Sequence, residues 1–304
     1  MKHSVFTVVL PELTIEEQAE AIAGCGYAGV EWRVAPRPME YKPSEPFNFW
    51  QNRVEEIWIG NVVEEAPRLR RLAEANGLET VSLASYSPPS EFEALKAVCQ
   101  ACEITGANFF RIGFILYDGK TDYNVLYERA VKDLEKVAQM AQQRGVRACL
   151  ELHGETIHPS AGLARRLLQH FDAACVGAIY DAGNLPGEGY EETKLALELL
   201  GDYLGYVHVK DGRWVQVDKG DHEPDPRWME RAANYLGPAR GWQWESAQPG
   251  QGQANWPKVM ALLKQRGFDG WFSNEDFRTS PPTLEKISQD LEYLKVLEKG
   301  PASV

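Results

Sequence analysis

The sequence is short of basic residues, of histidine and of any long apolar run. Lysine and arginine number 32 against 44 aspartates and glutamates, a formal charge of −12. A protein that grips nucleic-acid phosphates carries a basic footprint, and no lysine/arginine run supplies one here, so nucleic acid is not expected as a partner. No apolar stretch approaches the ~20 residues that span a bilayer. Residues 1–6 lack an apolar core followed by a small-residue cleavage site. Neither membrane insertion nor export is therefore expected, and the cytoplasm is the expected compartment. Five cysteines without an export signal point to reduced thiols. Cys99 and Cys102 form a C-x-x-C, but within an amphipathic stretch at 91–104 and with no second pair to complete a zinc site. Core packing is their expected role.

What is present is an ordinary globular composition, 44% hydrophobic and 25% charged over 304 residues, long enough for a large core without disulfides. A unit of apolar strand, polar turn, amphipathic helix and glycine recurs along the chain. Strands are expected at 4–10, 28–34, 80–85, 108–116, 147–152, 175–180, 204–209 and 270–274. Helices are expected at 14–23, 54–76, 91–104, 123–144, 160–171, 190–201, 256–266 and 283–298. Thr14 followed by Glu17 has capping-box spacing. Glycines at 77, 106, 145 and 267 fall where a helix ends before the next strand. Strict alternation implies parallel strands, and eight units favour a closed (β/α)8 TIM barrel over an open sheet. Residues 1–304 are expected as one such domain. Insertions at about 35–52 and 212–254, the second carrying Trp214, Trp228, Trp242 and Trp244, leave from strand C-terminal ends, where they suit lids or homo-oligomer contacts equally.

Four residues recur at one level, the ends of strands five to eight: Glu151, Asp181, His208 and Glu275. Each alone has a simpler reading, a salt-bridge carboxylate or a core histidine. Together, on adjacent strands over one barrel mouth, three carboxylates repel one another and are costly to bury. A divalent cation resolves that repulsion. Three oxygens and one imidazole suit one Mn, Mg or Co ion, with Zn or Fe as alternatives. Period-two alternation turns His153 the same way as Glu151, and Lys210 the same way as His208.

The ordered motifs Gly26-Tyr27-Ala28-Gly29-Val30-Glu31, Glu151-Leu152-His153-Gly154, Tyr180-Asp181-Ala182-Gly183-Asn184, His208-Val209-Lys210-Asp211-Gly212, Pro249-Gly250-Gln251-Gly252 with Trp256, and Gly267-Phe268-Asp269-Gly270-Trp271 leading to Glu275 run across nearly the whole chain. In them the chain resembles the xylose-isomerase-like barrels, a family of sugar and sugar-phosphate isomerases and epimerases that includes ketose 3-epimerases, hydroxypyruvate isomerase and inosose isomerases and dehydratases. The resemblance implies Glu151, Asp181, His208 and Glu275 as metal ligands, with Glu151 and Glu275 as the acid and base that move a proton through an ene-diolate. It implies a small sugar or keto-polyol as substrate.

Two positions depart from the 3-epimerase pattern: Asn184 stands where a histidine is usual, and Trp214 where an arginine is, with Arg213 beside it. They bring the chain nearer to the inositol-catabolism members, so a lyase or dehydratase acting on a keto-inositol or 3-keto-sugar is the alternative activity. A non-catalytic polyol-binding barrel and an abasic-site endonuclease are the remaining readings; the latter needs more mouth histidines than six in the whole chain provide. His153, Asn184, Lys210, Glu31 and Trp32 are the expected substrate contacts. Lys210 has a salt bridge to Asp181 or Glu275 as its alternative, and Glu31 a pairing with Arg33 or Arg111. Packing is the alternative for Trp32, Trp242, Trp244 and Trp256. The Gly250-Gln251-Gly252 turn is either a phosphate loop or a plain turn.

Overall fold

The computed structural model describes residues 1–38, 48–50, 54–117, 119–188, 191–216 and 242–300. The strands are β1 (Lys2–Phe6), β2 (Gly29–Val34), β3 (Glu79–Ser85), β4 (Phe109–Ile112), β5 (Arg147–Glu151), β6 (Val176–Asp181), β7 (Leu204–Val209), β8 (Asp211–Gln216), β9 (Trp242–Ala247) and β10 (Trp271–Asn274). All except β8 and β9 pair in parallel and close in the order β1-β10-β7-β6-β5-β4-β3-β2, an eight-stranded (β/α)8 barrel. The helices are α1 (Ile15–Gly24), α2 (Val62–Ala75), α3 (Phe92–Thr105), α4 (Tyr123–Arg144), α5 (Ala161–Leu168), α6 (Asn184–Glu188), α7 (Thr193–Leu200), α8 (Trp256–Gln265) and α9 (Thr283–Lys299).

Local chemistry sets these boundaries. Thr14 Oγ1 accepts from the Glu17 amide while Glu17 reaches back to the Thr14 amide, so α1 starts on a complete capping box. Gly145 ends α4 with a φ of 63°, a left-handed cap that costs other residues a steric clash. Cys99 and Cys102 are free and buried on α3, where burial pushes the Cys99 thiol up to about 12. No helix among the described residues is long and apolar enough to cross a membrane.

Several boundaries differ from the periodicity. The first strand stops at Phe6, and Thr7–Val9 turns into a 3-10 helix, because Thr7 Oγ1 accepts from the Arg33 amide and draws the chain over β2. Helix α2 begins eight residues late, after a turn in which Asn61 Oδ1 accepts from the Trp58 amide. The sixth expected helix, 190–201, is α7, capped by Glu192, which accepts from the Leu195 amide, and a separate short helix, α6, precedes it. The second insertion is not wholly loop. Its ends form an antiparallel pair, β8 with β9, in register Trp214 opposite Trp244, an aromatic cross-strand pair. Trp228, and much of both insertions, lies outside the described residues.

Candidate metal centre

The strand order places the four residues on consecutive staves. Glu151 ends β5, Asp181 ends β6, His208 sits in β7 opposite Asp181, and Glu275 follows β10. A donor atom from each lies within 4.8 Å of the other three. All are buried, at 1%, 0%, 0% and 3% exposure in that order. The arc runs Glu151, Asp181, His208, Glu275, so the two glutamates close it from opposite ends.

Each side chain is held by its neighbours. Asp181 Oδ1 accepts from the amides of Gly183 (2.8 Å) and Asn184 (2.9 Å), which leaves Oδ2 to face the cluster. Gly183 has no room for a side chain, since a Cβ there would lie 2.7 Å from the Lys210 carbonyl oxygen. This is the physical content of the Asp181-Ala182-Gly183-Asn184 motif. Asn184 Nδ2 donates to Glu151 Oε1 (3.2 Å) and to the Leu152 carbonyl (3.0 Å), so Asn184 orients the Glu151 carboxylate. Arg111 Nη1 donates to Glu151 Oε2 at 2.7 Å. The Glu275 amide donates to the Val209 carbonyl.

Glu31 lies beneath His208 and is fully buried. Its carboxylate accepts from Tyr206 Oη (2.7 Å), Ser273 Oγ (2.6 Å) and His208 Nε2 (3.2 Å). A carboxylate only accepts, so Nε2 carries the proton and Nδ1 is the atom turned to the cluster. Nδ1 is buried with no hydrogen-bond partner among the described residues, 3.5 Å from Glu275 Oε2, 3.8 Å from Glu151 Oε1 and 3.9 Å from Asp181 Oδ2. A cation ~2.1 Å from each ligand sets neighbours about 3.0 Å apart at right angles and about 4.2 Å apart when opposed. The three spacings from Nδ1 lie in that range, and an orphaned buried nitrogen facing three carboxylates is the donor set a divalent ion fits.

The electrostatics agree. Burial raises the Asp181 pKa to about 6 against the pull of Lys210, with Glu275 and Glu151 adding to the rise. Burial works against charge on Glu151 too, but Arg111 and His208 hold it well below the carboxylate range. Glu275 is likewise opposed by burial and drawn down to about 2 by Lys210 and His208. Burial disfavours a charged His208, yet Glu31 and Glu275 lift it well above an ordinary histidine. The pocket thus demands positive charge.

Among the other expected contacts, Lys210 Nζ lies 2.7 Å from Asp181 Oδ2 and 2.9 Å from Glu275 Oε2, making both of the salt bridges open to it. His153 turns Nδ1 to the Gly154 carbonyl, and its ring packs on Phe114 at 4.4 Å. Glu31 has its oxygens occupied by Tyr206, Ser273 and His208. Trp32 points the other way along β2, 1% exposed, with Thr7, Val8, Ile15 and Gln18 around a small cavity on the barrel's outer side, because inward Glu31 forces its neighbour outward. Trp256 is also buried, its indole donating to the Lys210 carbonyl.

The glycine turn is filled from within. Asp211 accepts from the amides of Gly212 (2.8 Å), Gly250 (2.9 Å), Gly252 (3.2 Å) and Ala254 (3.0 Å), so the turn's anion-binding amides already hold a carboxylate. Asp211→Ala is expected to lower stability by on the order of 3 kcal/mol, since four amides lose a charged acceptor and only part of the turn can turn to water. A thermal melt showing no change would contradict this.

Sequence reasoning missed Arg111 as a site residue, as well as the aromatic wall in which Trp50 stacks on Phe277 (5.1 Å) and Phe277 lies 5.5 Å from Lys210 Nζ. Arg111 was legible: a cation inside the apolar strand Phe109-Phe110-Arg111-Ile112 needs a partner as much as a strand-end glutamate does.

Behind Glu275, Asn274 Nδ2 and Arg278 Nη2 both donate to Asp290, and Arg278 Nε donates to Asp276. Burial, with Asp276 beside it, pushes Asp290 up to about 8. The folded state then keeps a proton that the unfolded chain releases near pH 4, so stability is lost as pH rises from about 4 to about 8. The thermal midpoint is expected to fall over pH 5–8 less steeply in Asp290→Asn than in the wild type. Equal slopes would contradict this assignment.

An eight-stranded barrel with a buried carboxylate–imidazole cluster at the strand C-terminal ends defines a class, the barrels whose site sits at that mouth. The chain belongs to the xylose isomerase-like TIM barrel family, which it matches over residues 19–297. It is 31% identical over 145 residues to an inosose dehydratase of Geobacillus kaustophilus (strain HTA426), covering 48% of this chain and 44% of that protein. The chain spans about half the length of the curated relatives it matches. Among solved structures it resembles the IOLI protein with a bound zinc atom (TM-score 0.70, 15% identity, 98% of each chain). It also resembles apo 3-keto-D-glucoside 4-epimerase from E. coli (TM-score 0.67, 14% identity, 97% of this chain and 99% of that one).

Proposed function

We propose that the chain is a divalent-metal-dependent isomerase or epimerase of a keto-sugar or keto-polyol. The observation that carries this reading is the placement of Glu151 and Glu275 at opposite ends of the ligand arc, so that a molecule seated over the cluster lies between two carboxylates. Glu151, Asp181, His208 and Glu275 would hold the ion, with Mn, Mg or Co suited to this donor set. When bound, the ion supplies Lewis-acid polarisation of the substrate carbonyl and acidifies the neighbouring C–H.

The remaining work falls to the chain's own residues. One glutamate takes the proton from the carbon next to the carbonyl, and the bonding pair moves to give an ene-diolate. The other returns a proton to the opposite face of that carbon, giving the epimer, or to the neighbouring carbon, giving the isomer. Asn184 and Arg111 keep Glu151 in place, and Glu31 keeps His208 in its tautomer. Phe277, Trp50 and His153 with Phe114 supply apolar and polar faces around a small neutral substrate.

A second reading keeps the site and the first proton transfer, then expels hydroxide from the next carbon, which leaves as water once protonated. The names of the curated relatives, inosose dehydratases, favour it. Incubation of the Mn-loaded protein with ketohexoses, 3-keto-sugars and keto-inositols in D2O separates the two. Epimerisation or isomerisation places deuterium at the carbon next to the carbonyl, whereas elimination develops enone absorbance. Neither signal on any of these substrates would contradict both readings.

A further inference from the structure

We propose that Arg111 binds substrate as well as Glu151, one guanidinium nitrogen fixing the ligand carboxylate and the other offered to a substrate oxygen; this rests on the function proposed above. Arg111 lies on β4, the stave next to Glu151's at the edge of the ligand arc, and is 2% exposed. Nη1 donates to Glu151 Oε2 at 2.7 Å and Nε to the Ser85 carbonyl at 3.3 Å. Nη2 is buried and has no hydrogen-bond partner among the described residues.

A guanidinium carries five N–H donors, and leaving buried donors unmade is costly. Three rings surround the group and do not relieve that cost in the guanidinium plane. The Tyr86, Phe6 and Phe114 centroids lie 4.5, 5.2 and 5.7 Å from Cζ. They strip it of water and hold its plane, which preorganises the free nitrogen for an acceptor that arrives later. A group needed only to anchor Glu151 would be served by the Nη1 contact and a solvated remainder.

The position selects the ligand atom. Arg111 adjoins Glu151 at one end of the arc, whereas Lys210 is taken up between Asp181 and Glu275 further along it. A keto-polyol lying between the glutamates therefore brings a carbonyl or hydroxyl oxygen toward Arg111 at the Glu151 end. Negative charge developing on that oxygen as the proton leaves strengthens the contact, so the effect falls on turnover as well as on binding.

The test uses Arg111→Met and Arg111→Lys in the full chain, stripped of metal and reloaded with Mn2+. D-fructose is the neutral keto-polyol probe. Calorimetry reads the Mn2+ affinity and the D-fructose affinity of the loaded protein, and NMR in D2O reads exchange at the carbon next to the carbonyl. Arg111→Met is expected to keep one Mn2+ per chain, to bind D-fructose at least tenfold more weakly and to exchange at least 100-fold more slowly. Millimolar guanidinium is expected to restore part of that exchange, a rescue that a purely structural role does not show. Arg111→Lys keeps the charge without the planar fork and is expected to fall between the two; it carries the test if Arg111→Met does not fold. D-fructose affinity and exchange within twofold of wild type in the Mn2+-loaded variants would overturn the proposal. So would loss of Mn2+ from both variants, which would reduce Arg111 to a support for Glu151. Absence of exchange in the wild type with D-fructose and equally with 3-keto-sugars and keto-inositols would instead refute the proposed reaction, and the Arg111 proposal with it.

Discussion

Glu31→Ala is expected to weaken Mn2+ binding by ~10–100-fold and to lower the thermal midpoint by on the order of 10 °C. Three buried donors converge on this carboxylate, from Tyr206, Ser273 and His208. Removing it leaves Ser273 and His208 Nε2 without an acceptor, at about 1–3 kcal/mol apiece, while Tyr206 keeps only its longer contact to Ser82 Oγ (3.1 Å). It also releases the tautomer of His208, whose Nδ1 then loses its fixed aim at the three ligand carboxylates. Glu31→Gln separates the two effects. Its amide oxygen can still accept from Tyr206 or Ser273, so the midpoint falls less. Turned to Nε2, its NH2 requires the lone pair there and puts the proton on Nδ1, where the metal belongs. A variant that melts near wild type yet binds Mn2+ tenfold or more weakly is the expected result. Unchanged affinity in both variants would show that Glu31 does not set the ligand's orientation.

The second large effect concerns the two glutamates. Glu151→Gln and Glu275→Gln each keep a ligand oxygen but lose a charge and a proton acceptor. Each is expected to bind Mn2+ at least tenfold more weakly, as the buried cation loses part of its neutralisation. At saturating Mn2+, deuterium exchange into a keto-polyol is expected to fall by about 10²–10⁴-fold, the usual contribution of a positioned acid or base. The variants differ in their surroundings. Glu151→Gln strands Arg111 Nη1 beside a neutral amide, whereas Glu275→Gln leaves Lys210 still held by Asp181. Glu151→Gln is therefore the more destabilised of the two in a thermal melt. Full Mn2+ affinity retained in both would contradict the ligand assignment, and exchange at the wild-type rate in either would remove that glutamate from proton transfer.

Much of this was legible in the sequence because it follows from period and spacing. Helix α4 falls at the residues its apolar stripe and Gly145 indicate, and eight strand–helix units close as a barrel. The carboxylate–imidazole cluster was legible for the same reason: strands five to eight end on charged residues at one level, and adjacent staves bring them together. The buried position of Trp32 follows from the very rule that placed the cluster. Alternation that turns Glu31 inward turns Trp32 out, and the aromatic character of the side chain outweighed its parity. The role of Glu31 was hidden for a different reason. Its partners Tyr206 and Ser273 lie 175 and 242 residues away, and only barrel closure between β1 and β10 sets Ser273 near β2. Asp211 was hidden likewise, since its four amide partners come mostly from a turn 39–43 residues on. Long-range hydrogen bonds leave no periodic trace.

The central claim, that Glu151, Asp181, His208 and Glu275 bind one divalent ion, is tested most directly by counting it. Chelator-stripped protein is titrated with Mn2+ and free ion is followed by electron paramagnetic resonance, for the wild type and for His208→Ala with Asp181→Ala. One tightly bound Mn2+ per chain in the wild type and none in the double variant, with both folded by circular dichroism, is the result predicted. Absence of tight binding in the wild type, or one equivalent retained by the folded double variant, would contradict it.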